Sequence, residues 1–100
     1  MTTTQTEFLD PSWYARRAAV RALAPLVLTH PEVRDAVLRL AHTDPVWDVR
    51  GTAVRALAPL VGTHPEVRSA VLRLASSDPS WYVREEVVAA LSRPIEEVQS

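Results

Sequence analysis

The sequence predicts an all-α fold: an α-solenoid of stacked antiparallel helix pairs with a 34-residue period and about five helices. Three observations carry this. First, "DPSWYARRAAVRALAPLVLTHPEVRDAVLRLAHT" (Asp10 to Thr43) returns as "DPVWDVRGTAVRALAPLVGTHPEVRSAVLRLASS" (Asp44 to Ser77) with 25 identities over 34 positions. A third copy opens at Asp78 with "DPSWYVREEVVAAL" and stops early. Second, each full copy carries two helix starts, one at Asp-Pro and one at Thr-His-Pro-Glu. Third, each helix bears a one-sided apolar stripe that it cannot cover by itself, so consecutive copies must stack and share a core.

The elements follow in order. Residues 1–9 form a lead, and 10–93 form the array, with units starting at 10, 44 and 78. In each unit the Asp is placed to cap free backbone N–H groups, with Pro in the first turn, where its missing donor costs nothing. On a helical wheel of Pro45 to Val61, Val46, Val49, Ala53, Leu57 and Leu60 share one face, opposite Asp48, Gly51, Thr52 and Arg55. Pro25 and Pro59 each remove a hydrogen bond within this helix. The apolar phase continues past them, so a kinked but unbroken helix is expected. The second helix starts at Thr63 to Glu66, with Thr and Glu spaced as in a capping box, and Thr29 to Glu32 is its twin. Val67, Ala70, Val71 and Leu74 form its apolar stripe. In the third copy Arg93-Pro94 replaces the expected pattern, so the last helix should end near Leu91, leaving 94–100 as a tail.

Composition narrows the function. Eleven basic residues, all Arg, against twelve acidic ones give a net charge of −1, so no overall field draws in nucleic acid or an anionic membrane. There is no Cys, which removes disulfides, thiol nucleophiles and thiolate metal sites. The start "MTTTQTEFLD" lacks the basic and apolar regions of a signal peptide, and no apolar run approaches a membrane span, so a cytoplasmic location is the default expectation. No nucleophile–base pair, glycine-rich phosphate loop or metal-ligand spacing is seen, and the only glycines are Gly51 and Gly62. Catalysis, cofactor and metal are therefore not expected. His30 and His64 each precede a helix-starting Pro and suit a capping or turn role; without an acidic partner in register they do not make a metal site.

The succession "PEVRxAVLRLA" then "DPxWxVRxxAVxAL" resembles the HEAT repeat, in particular the bacterial HEAT-like type also found in phycobilin lyases. The resemblance covers residues 10 to 91. Its most specific element is Asp followed six residues later by Arg: Asp10 and Arg16, Asp44 and Arg50, Asp78 and Arg84. It implies a right-handed solenoid in which the motif helix is second in each pair and lines the concave side. The chain then holds an unpaired motif helix (about 11–27), followed by the pairs 31–42 with 45–61 and 65–76 with 79–91. It also implies that the Asp–Arg residues form an inter-repeat ladder that stabilises the stack. Tetratricopeptide repeats share the 34-residue length, but their W-x2-L-G-x2-Y pattern is absent.

Nine positions differ between the first two units, and three of them, 14/48, 17/51 and 18/52, fall on the polar face of the motif helix at i, i+3, i+4 spacing. The third unit varies at the same places, with Tyr82, Glu85 and Glu86. A tailored binding face would vary in this way, and so would a drifting surface; contact-forming Tyr, Arg and Glu favour the former. The expected partner-binding stripe is Tyr14, Arg17, Arg21, Asp48, Thr52, Arg55, Tyr82, Glu85 and Glu86. Trp13, Trp47 and Trp81 recur at one position in the first helical turn, near the margin of the apolar stripe; such an aromatic ladder could stack against a peptide or bases, but packing between neighbouring units, each N–H on a loop carbonyl, is the expected role. The reading that follows is a non-catalytic interaction or scaffold module for a protein or peptide. Nucleic acid is disfavoured by Asp48, Glu85 and Glu86 on the same stripe. The alternatives are a nucleic-acid-binding HEAT-like array using Arg17, Arg21 and Arg55, an accessory role in a lyase-type enzyme, and an engineered or self-assembling repeat scaffold. Unit similarity also predicts either self-association through the array ends, with only Phe8 and Leu9 to cap the first, or membership of a longer array.

Overall fold

A computed structural model describes residues 12–92 of the chain. Among these residues the fold is all helical. Five α-helices run in order: α1 (Trp13–Leu23), α2 (Pro31–Thr43), α3 (Trp47–Leu57), α4 (Pro65–Ser77) and α5 (Trp81–Leu91). The motif helices α1, α3 and α5 stack on one another, while α2 packs on α3 and α4 on α5. The lead, Asp10, Phe8, Leu9 and the tail lie outside the described residues.

The core is almost entirely Val, Leu and Ala. The α4 stripe of Val67, Ala70, Val71 and Leu74 is buried as its spacing predicts. By contrast, α3 is buried nearly all round, including Gly51 and Thr52, because it has α1 on one side, α5 on the other and α2 behind. The wheel assigned those two residues to a solvent face; the stack has covered it.

Three local expectations are corrected. The motif helices start two residues later than Asp-Pro implies, at Trp47 and Trp81, with extended Val46 and Ser80 at their N-caps. Asp44 and Asp78 instead accept the Val46 and Ser80 backbone N–H groups at 2.9 Å, a turn that holds the chain in position for the helix. At the other starts no capping box forms. His30 and His64 occupy the N-cap positions without a side-chain cap bond, and each pairs through Nδ1 with the preceding Thr hydroxyl at 2.8 Å. At Pro25 and Pro59 the α-helix ends at Leu23 and Leu57 and passes into a 3₁₀ turn, Ala24–Leu26 and Ala58–Leu60. Tightening to i→i+3 bonding absorbs the donor that proline lacks while the chain stays right-handed helical.

Candidate functional site

Two contact rules along the stack organise the motif-helix face. The first is the ladder. Arg16 Nε and Nη2 donate to Asp44 at 2.7 and 3.1 Å, and Arg50 does the same to Asp78 at 2.8 and 3.1 Å. Both are planar two-bond forks between partners 28 residues apart. Within a unit, the Arg that follows each Asp by six residues binds its main-chain carbonyl: Arg50 reaches Asp44 O at 2.9 Å and Arg84 reaches Asp78 O at 2.7 Å. Asp44 and Asp78 therefore each fix the start of their own helix and receive the preceding unit's guanidinium. The pairs are buried, with side chains only 10% and 1% exposed for Arg16 and Asp44.

The second rule joins residues 31 apart, and it explains the changed letters. Arg17 bonds Asp48 at 3.2 Å, whereas at the equivalent place in the next junction Gly51 faces Tyr82. A Cβ added to Gly51 would lie within the Tyr82 ring, 2.7 Å from its Cδ2 atom. Position 51 is small because position 82 is large, and 17 is basic because 48 is acidic. Arg55 and Glu86 meet under the same rule at 4.0 Å. In the first junction the corresponding pair is Arg21 and Thr52, and the Thr52 hydroxyl donates to Asp48 O at 2.8 Å. Arg21 forms no ion pair among the described residues.

The expected binding stripe thus divides. Thr52 is buried; Arg17, Asp48, Tyr82 and Glu86 are half-buried in junctions between units; Tyr14, Arg21, Arg55 and Glu85 are exposed. Variation that resembled a tailored exposed surface is in large part complementary packing between neighbours.

The tryptophans are more open than packing between units predicts: Trp13, Trp47 and Trp81 are 40%, 51% and 67% exposed. Trp47 meets the neighbouring unit edge-to-face at Tyr82, at a centroid separation of 5.2 Å. Trp13 lies under the Arg17 guanidinium at 4.9 Å. Trp47, Trp81 and Tyr82 form the aromatic side of a groove of about 690 Å³ whose polar side is Arg17, Arg21, Asp48 and Ser80. Burial, followed by the Glu86 and Asp48 carboxylates, pushes the Tyr82 phenol above its usual range, so it stays a neutral hydroxyl at physiological pH. What the groove offers is flat apolar area, the hydroxyls of Tyr82 and Ser80, and in Arg21 a cation with no ion pair among the described residues.

Sequence reasoning placed Tyr82, Arg17, Arg21 and Asp48 on this face, assigned Trp47 and Trp81 to structure ahead of ligand stacking, and missed Ser80 as part of the lining. The usable signal was the offset between the two rules: once Arg16 pairs with Asp44, residue 17 must face residue 48 and residue 51 must face residue 82.

The family model for HEAT repeats matches residues 4–93, nearly the whole sequence. The chain belongs to the HEAT repeat family. Comparison with curated proteins and with solved structures gives no match. HEAT repeats commonly mediate protein–protein interaction or scaffolding, and the family is generally non-catalytic. In this HEAT array no helix of the described residues is long and apolar enough to cross a membrane.

Proposed function

We propose that this HEAT array is a protein-interaction module that captures an extended, acidic, apolar-containing segment of a partner protein in the groove between Arg21 and the Trp47–Tyr82–Trp81 cluster. The observation that carries the reading is that cluster: three large aromatics, two of them more than half exposed, beside an arginine whose slot lacks the carboxylate that Arg55 has. The exposed area of these rings is left uncovered by the fold, and Trp, Tyr and Arg are the side chains that most often dominate binding energy at protein interfaces. An aromatic groove suits a polyproline-like or otherwise extended chain, with the arginine taking a carboxylate in a two-bond fork. A polyanion fits less well, because Arg17 is already neutralised by Asp48 and Arg55 faces Glu86.

Selection from a displayed library of short peptides tests the reading. The intact chain should enrich sequences that combine Asp or Glu with Pro or an aromatic residue. Arg21→Glu should lose the acidic preference, and Trp81→Ala should lose enrichment altogether while leaving the helical signal and melting unchanged. The same enriched sequences on all three proteins would contradict the assignment.

A further inference from the structure

The two ends of the stack carry the two halves of one interface. Val20 and Val54 occupy the same position in α1 and α3, face the following unit and are 0% exposed; their counterpart in α5, Val88, is 59% exposed. The opposite face shows the reverse pattern. Thr52 and Glu86, which face the preceding unit, are buried and half-buried, while their counterpart Ala18 in α1 is exposed. Ala22 and Tyr14 are likewise more exposed than Ala56 and Ala90, or than Asp48 and Tyr82. Thus α5 keeps the surface that in α1 and α3 receives the next unit, and α1 keeps the surface that in α3 and α5 is received.

We propose that the chain associates head to tail, the open face of α5 in one copy receiving the open face of α1 in another as if it were the next repeat. The internal junctions supply the register. Residues 31 apart meet inside the chain, so Glu85 falls opposite Tyr14 of the second copy, where a carboxylate can accept the phenol hydrogen, and Ala89 falls opposite Ala18, leaving room for close approach. The contact is heterologous: each copy uses a different face, leaving one face of each kind open at the ends of any chain of copies. This inference does not depend on the groove, which lies along the side of the stack.

The test uses the two faces separately. Sedimentation or light scattering of the intact chain from about 1 μM to about 1 mM, a range spanning weak association, should show mass rising with concentration. Val88→Arg blocks the α5 face and Ala18→Arg the α1 face; both sites are exposed, and circular dichroism checks that each variant folds. Each variant alone should be incapable of growing beyond a monomer. Mixed, they should form a one-to-one dimer, since each retains the face that the other lacks. A wild-type chain that stays monomeric throughout, a Val88→Arg chain that associates like wild type, or a mixture that yields no dimer would each overturn the proposal.

Discussion

Asp44→Ala probes the ladder at its busiest node. The side chain is 1% exposed and holds three bonds: the fork from Arg16 at 2.7 and 3.1 Å and the Val46 N–H at 2.9 Å. Removing one member of a buried ion pair costs about 3–5 kcal/mol. Arg16 retains 10% exposure at the rim, so partial rehydration places this loss near the lower end. Losing the acceptor that holds the helix start adds about 1 kcal/mol. The sum, about 4 kcal/mol, is a large part of the roughly 5–15 kcal/mol that stabilises a domain of ordinary size. With a urea slope of about 2 kcal/mol per molar, the midpoint should fall by roughly 2 M. Equilibrium unfolding followed by far-ultraviolet circular dichroism measures it, with exposed Asp35→Ala as the control that should stay within about 0.5 kcal/mol of wild type. Asp44→Ala and Arg16→Met should be less than additive in a double-mutant cycle, because either change alone already removes the fork. An unchanged midpoint in Asp44→Ala, or fully additive losses in the cycle, would refute the reasoning.

Two further outcomes follow from the second junction. Gly51→Ala replaces a helical glycine, a change worth about 1 kcal/mol in a free helix, but its Cβ displaces the Tyr82 ring; chemical denaturation should show the substitution stabilising in a Tyr82→Ala background and neutral or destabilising in wild type. Tyr82 holds its proton more tightly folded than unfolded, so its contribution to stability is complete below its ordinary value of 10.0 and is lost as pH rises from there through the folded value. Alkaline unfolding should therefore show a smaller loss in Tyr82→Phe than in wild type.

The repeat, the helix count and the pairing of helices were legible because apolar periodicity and a 34-residue period leave few ways to bury the stripes. The Asp–Arg ladder between repeats was legible through the family resemblance, but not which atoms meet: the carboxylate of Asp44 takes the fork from Arg16 of the preceding unit, while Arg50 of its own unit binds the main-chain carbonyl. Which residues of the polar face stay open was not legible, since a helical wheel treats each helix as if water surrounded its polar side. In α3 that side is covered by neighbours, so Gly51 and Thr52 are buried. For the tryptophans, the first-turn position at the margin of the apolar stripe was legible but their degree of exposure was not: how far a margin residue is covered depends on the neighbouring unit, and Trp47 and Trp81 stay more than half exposed.

The groove reading is tested most directly by where a selected peptide lands. Among the described residues Trp13, Trp47 and Trp81 each supply one indole N–H signal, resolvable in a nitrogen-15 nuclear magnetic resonance spectrum. Titration with an acidic peptide obtained by selection should move the Trp47 and Trp81 signals together with the Arg21 side chain, and leave the exposed Leu72 on α4 unmoved. Shifts centred on Leu72 and its neighbours, with Trp47 and Trp81 unchanged, would contradict it.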